Sequence, residues 1–133
     1  MKNAMKNAMK NALEYDEQNI FAKILRGDIP CGKIYEDEHA LAFPDIRPQA
    51  PVHILVIPKG KYISAADFNA RAPAEALTGF YRAVSEVARQ AGVEQNGYRL
   101  ICNTGPDSHQ EVPHFHVHIL AGGKLGRMLG PPL

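Results

Sequence analysis

The sequence predicts an α+β domain: a five-stranded, mainly antiparallel sheet carrying one short and one long helix. Three observations point there. Short runs that suit strands occur at 33–36, 40–43, 52–57, 98–102 and 115–120. Hairpin-scale connections join most of them, which favours antiparallel pairing over parallel crossovers. One long stretch, from about Pro73 to Ala91, repeats apolar residues at the spacing of an amphipathic helix.

The elements follow in order. Residues 1–12 read Met-Lys-Asn-Ala three times. Each unit has one cation and little to bury, so 1–18 is expected to be a flexible tail. Order begins at Asn19, an N-cap for a short helix whose Ile20, Phe21, Ile24 and Leu25 share one face. Gly27 stops it, and Ile29-Pro30 leads away. The runs 33–36 and 40–43 form two strands, with Asp37-Glu38-His39 as the connection between them. Three prolines between Pro44 and Pro51 make a loop. Residues 52–57 (Val-His-Ile-Leu-Val-Ile) suit a central strand buried on both faces, ended by Pro58. Lys59-Gly60-Lys61 reads as a solvated turn. In the long helix Leu77, Phe80, Tyr81, Val84, Val87, Ala88 and Ala91 lie on one face, Arg82, Glu86 and Arg89 face away, and Gly92 closes it. Residues 98–102 form a strand, 103–113 a polar loop and 115–120 the last strand. Gly122-Gly123 breaks that strand, and the tail ends in Pro131-Pro132.

A chain of 133 residues suits one domain, expected over 19–133. Hydrophobic residues make up 45% and charged residues 22%, the balance of a soluble globular protein. A net charge of +1 points away from nucleic acid and from membrane surfaces as partners. No apolar run approaches the ~20 residues that span a bilayer. The N-terminus is polar and unlike a secretory leader, so a cytoplasmic location is expected. Cys31 and Cys102 are then reduced thiols.

Three of the six histidines form His114-Phe115-His116-Val117-His118. Strand alternation puts all three imidazoles on one side and Phe115, Val117 and Ile119 in the core. Neighbouring imidazoles then stand ~6.5–7 Å apart at the backbone. Such an array is a polar sheet face, a metal site, or a site for acid–base and nucleophilic chemistry on an anion. Imidazole is a common metal ligand, and two from one strand can reach one zinc. Histidine also attacks phosphorus, and imidazolium balances phosphate charge. The preceding loop, 103–110, is rich in amides and glycine and supplies neutral donors to an anion. It holds one carboxylate before Glu111, whereas a dedicated metal site more often gathers Asp, Glu or Cys.

The segment His114-Phe115-His116-Val117-His118-Ile119-Leu120 matches the signature of the histidine triad (HIT) family. Asn19 to Ile24 resembles that family's opening helix. Phe43 to His53 resembles its central loop and strand, followed by Val56-Ile57-Pro58-Lys59. Asn103 and Gly105 fall at its loop Asn-x-Gly, and Gly122-Gly123 with the Pro-containing tail looks like the Hint branch. The resemblance covers roughly 19–133. It implies a homodimer whose two sheets join into one, purine nucleoside monophosphate binding, and hydrolysis of the P–N bond of nucleoside 5′-phosphoramidates of the adenosine 5′-monophosphoramidase type. It implies a nucleotidyl-histidine intermediate and no cofactor or metal.

Residue by residue, the resemblance makes His116 the nucleophile, His114 and His118 the flanking histidines, and His53 a fourth histidine that sets their protonation. Asp45 corresponds to the acceptor of the ribose hydroxyls, and Phe21 and Ile46 to the walls of the base pocket. Asn103, Gly105 and Gln110 correspond to polar contacts, and backbone N–H groups at His109, Gln110 and Glu111 to phosphate contacts. From the residues alone, His53 reads better as a core histidine, Asp45 as a turn former and His39 as a hairpin residue. Glu111 departs from a Ser or Thr found in some Hint proteins and brings the leaving-group step into question. Where some HIT branches carry Cys-x-x-Cys for zinc, this chain has Asn19 and Ala22, which speaks against a structural zinc. A dinucleoside polyphosphate hydrolase of the same fold, a non-catalytic nucleotide-binding protein and a metal-dependent hydrolase are the alternatives.

Overall fold

A computed structural model describes residues 14–130. The Met-Lys-Asn-Ala repeats and Pro131-Pro132 lie outside the described residues.

Helix α1 spans Ile20–Arg26. The Asn19 side chain caps it by accepting from the Ala22 N–H, and Gly27 ends it in the left-handed region at φ 84°. Strands β1 (Tyr35–Glu36), β2 (Ala40–Pro44) and β3 (Val52–Pro58) follow. The turn between β1 and β2 is held by Asp37 Oδ1, which accepts from the backbone N–H of His39 and Ala40. Helices α2 (Ala65–Arg71) and α3 (Ala74–Gln90) come next, then β4 (Arg99–Ile101) and β5 (Val117–Ala121). Gly92 closes α3 at φ 75°, its N–H bonding back to Arg89.

The sheet order is β1-β2-β3-β5-β4, and every pairing is antiparallel. The last strand is thus inserted between β3 and β4. Alternation along β3 divides the core. Ile54 and Val56 face α3 with Phe80, Val84 and Val87, joined by Phe68 of α2 and by Phe115, Val117 and Ile119. Leu55 and Ile57 face the other way with Leu41, Phe43 and the Phe21 and Ile24 of α1. The central strand is therefore buried on both faces, as its unbroken apolar run predicts.

Two expectations are corrected. The predicted pair of helices is a trio, because the stretch before Pro73 also forms a helix, α2. It buries just one large apolar side chain, Phe68, so periodicity is silent there. Its signal is Ser64-x-x-Asp67: the Ser64 hydroxyl caps the Asp67 N–H, and Asp67 pairs with Arg71 at 2.5 Å. The last strand starts at Val117 rather than 115, so His114 to His116 run ahead of the ladder. They are tied to the 58–62 stretch instead, the Phe115 N–H donating to the Tyr62 carbonyl at 2.7 Å.

Candidate active site

The three imidazoles lie together on the face opposite α3. Phe21 stands edge-on to His116 with ring centroids 5.0 Å apart and to His114 at 6.2 Å. The His116 and His118 rings are 5.0 Å apart. Phe115, Val117 and Ile119 point into the α3-side core. The alternation thus holds through the segment that precedes the ladder.

Hydrogen bonds assign a tautomer to each ring. Nδ1 of His116 lies 2.7 Å from the His114 carbonyl, so it carries the proton and Nε2 keeps its lone pair. His53 Nδ1 lies 3.0 Å from the Gln49 N–H and is therefore an acceptor. Its Nε2–H then donates to Nδ1 of His118 at 2.9 Å, which leaves the His118 proton on Nε2. The register makes this contact: Leu120 faces His53 and Leu55 faces His118, so the two histidines are diagonal neighbours on one sheet face. His114 donates from Nε2 to the Pro58 carbonyl at 3.1 Å. Its Nδ1 accepts from the hydroxyl of Tyr15 at 2.5 Å.

Burial holds the triad neutral. His114 is fully buried, and desolvation pushes its pKa down to about 4. Desolvation, with the neighbouring His116 and His53, takes His118 down to about 4 as well. His116 is lowered by burial, opposed by its bond to the His114 carbonyl and by the charges of Asp45 and Glu111.

The other candidates fall into three groups. Asp45 and His53 stand beside the triad: Asp45 Oδ2 is 3.5 Å from His53 Nε2, while Oδ1 accepts the Arg47 N–H at 2.7 Å in a turn. Oδ1 of Asp45 thus serves the turn, while Oδ2 faces His53. Phe21 is buried against the rings, and Ile46 is 88% exposed, an apolar side chain open to solvent beside Asp45. Asn103 is half-buried at the start of the loop.

The loop itself is tied up internally. Gln110 accepts the Gly105 N–H through Oε1 and donates through Nε2 to the carbonyls of Ile63 and Val112. The His109 and Gln110 N–H groups are taken by the carbonyls of Pro106 and Gly105. Of the three backbone donors at 109–111, only the Glu111 N–H has no protein acceptor among the described residues. His109, at φ 63°, is exposed and its ring lies 3.3 Å from the exposed Glu111 carboxylate.

Sequence reasoning missed Tyr15, which sits in the segment assigned to the tail. It also missed that Asp45, His53 and His118 bring one ligand-type atom each within 4.8 Å of one another. Cys31 and Cys102 are free thiols, and among the described residues no helix is long and apolar enough to cross a membrane.

The HIT domain model matches residues 26–125. An uncharacterized 13.2 kDa HIT-like protein of Azospirillum brasilense is 59% identical over 115 residues, covering 86% of this chain and 94% of that one. The purine nucleoside phosphoramidase of Escherichia coli K12 is 43% identical over 113 residues, covering 85% and 94%. Among solved structures, a HIT family hydrolase from Clostridium thermocellum superposes with a TM-score of 0.79 at 38% identity, covering 86% of this chain and 99% of that one. A histidine triad protein from Clostridium difficile gives 0.72 at 44% identity, covering 81% and 93%. With its imidazoles gathered on one face and its relatives matched over most of their length, the chain belongs to the HIT domain family.

Proposed function

We propose that the protein hydrolyses purine nucleoside 5′-phosphoramidates through a nucleotidyl-histidine formed on His116. The observation that carries this is the hydrogen bond from His116 Nδ1 to the His114 carbonyl. It fixes the proton on one nitrogen and reserves the Nε2 lone pair for phosphorus. The relation to the E. coli purine nucleoside phosphoramidase supports the substrate class.

In this mechanism neutral His116 attacks the α-phosphorus in line with the amine. The P–N bond breaks, and the amine leaves with a proton taken from the site. The imidazolium charge left on His116 is stabilised at Nδ1–H by the His114 carbonyl. Water then cleaves the Nε2–P bond, returning the proton and releasing the nucleoside monophosphate. His118 donates from Nε2–H to a phosphate oxygen, its orientation set by the chain Gln49 N–H, His53, His118. The Glu111 N–H is a second donor to the phosphate. Asp45 accepts from the ribose hydroxyls, and Phe21 and Ile46 flank the base. Asn103 is a polar contact to the nucleotide. Gln110 and Gly105 shape the loop through their mutual bond rather than by direct contact, a revision that follows from the commitment of the Gln110 amide. No cofactor takes part.

We extend the proposal to a homodimer. Strand β4 is one of the two sheet edges, opposite β1, and its Leu100 is 47% exposed, so a second copy can continue the sheet there.

One observation favours a second reading, a metal-dependent hydrolase: Asp45, His53 and His118 have the donor types and spacing to hold a cation. Turnover of an adenosine phosphoramidate with and without chelator separates the two. Undiminished turnover in chelator is expected; its loss would replace the covalent route by the metal one.

A further inference from the structure

His114 is the one triad member with no exposed surface, and both of its ring nitrogens are engaged. Nε2–H donates to Pro58 at 3.1 Å, and Nδ1 accepts from the Tyr15 hydroxyl at 2.5 Å. The Tyr15 ring also stands edge-on to the imidazole, with centroids 5.7 Å apart.

The segment that delivers Tyr15 is tied down independently. Glu17 pairs with Lys61, and its carbonyl accepts from Arg26 at 2.6 Å. The Asp16 carbonyl accepts from the backbone and side chain of Asn19 at 3.1 and 2.6 Å. On the other side, the stretch from Pro58 to Tyr62 grips the triad twice, through the His114 ring and through the Phe115 N–H. The one ring nitrogen which that stretch leaves unpaired is the one Tyr15 takes.

A neutral imidazole flanked by a carbonyl on one side and a hydroxyl donor on the other has one tautomer that satisfies both. We infer that Tyr15 is a positioning residue for the triad. Its hydroxyl locks the His114 ring as the Nε2–H tautomer, and so holds the His114 carbonyl where it accepts the Nδ1 proton of His116. This rests on the reading of His116 as nucleophile. If the His114 ring is released, its carbonyl drifts with it, and His116 loses the bond that keeps the lone pair on Nε2.

Tyr15→Phe is the test, because it keeps the edge-on ring and removes only the hydroxyl. Two readouts are taken: the ¹⁵N shifts of the His114 imidazole, and kcat with KM on an adenosine phosphoramidate. In wild type, His114 reads as the Nε2–H tautomer with Nδ1 hydrogen-bonded; in the variant the Nδ1 shift moves to that of an unbonded or mixed tautomer. The expected kinetic effect is a fall in kcat of about tenfold with KM nearly unchanged, the pattern of a group that acts on the reacting atoms' geometry. Tyr15→Ala, which also removes the ring, falls at least as far. An unchanged ¹⁵N pattern overturns the inference whatever the rate, and so does an unchanged kcat. Absence of turnover in wild type refutes the proposed reaction instead; the tautomer lock is then judged on the ¹⁵N comparison alone, upheld by a shift and overturned by none.

Discussion

Acidification from pH 6.5 to 5 should weaken the fold through its buried histidines. His114 and His118 have pKa values near 4 in the folded chain, against an ordinary value of 6.5. Between those limits the unfolded chain binds more protons, so stability rises with pH, is complete above about 6.5, and is lost as pH falls toward 4. For fully buried His114, integration from pH 6.5 to 5 gives about 1.5 kcal/mol. His118 is partly exposed, so solvent screening reduces its share to about 0.5–1 kcal/mol. His116 adds in the same direction. The sum is about 2–3 kcal/mol, large against a typical domain stability of about 5–15 kcal/mol. The lowered carboxyls of Asp37 and Asp67 start from 3.8 and therefore act mainly below this window. The assay is urea unfolding at fixed protein concentration across pH 5–8. His114→Gln, which removes the titrating ring, should flatten about half of the dependence. Stability that is level, or that grows as pH falls from 6.5 to 5, would refute the claim that these rings are held neutral by burial.

Three further outcomes are expected. His116→Gly should abolish phosphoramidate turnover while leaving AMP affinity, read by calorimetry, nearly intact; substantial turnover in the variant removes His116 from the chemistry. Glu111→Ser should lower the preference for lysyl over neutral-amine phosphoramidates by about two- to fivefold in kcat/KM, the scale of an exposed charge interaction. An unchanged preference means that the Glu111 carboxylate does not select cationic leaving groups. Phe80→Ala should cost about 3–5 kcal/mol by urea titration, since Phe80 is fully buried with ring centroids 5.3 Å from Phe68 and 5.2 Å from Phe115. A loss under about 1 kcal/mol would contradict a tightly packed aromatic core.

What sequence reasoning recovered was local or periodic. Asn19 and Gly27 bound their helix because caps depend on a few neighbouring residues. The unbroken run of β3 and the apolar face of α3 report burial directly. The side shared by the three imidazoles follows from alternation alone. Helix α2 escaped because one buried Phe68 makes no period, although its Ser64-Asp67 cap was visible. Tyr15 escaped for a different reason: its partner lies 99 positions away, and nothing in the neighbourhood of either residue announces the contact. The polar loop suggested a set of free donors. The structure commits most of them internally, because a loop has to satisfy its own backbone before it offers anything to a ligand. Asp45 shows the limit of residue-type arguments, since one carboxylate forms a turn with one oxygen and faces His53 with the other.

The central claim is that His116 Nε2 bonds to phosphorus before water does. The stereochemical course of hydrolysis tests it, using an adenosine phosphoramidate made chiral at phosphorus by sulfur and oxygen-isotope substitution. Two successive in-line displacements give net retention of configuration, which is the predicted result. Inversion would mean a single direct attack by water and would contradict the covalent histidine.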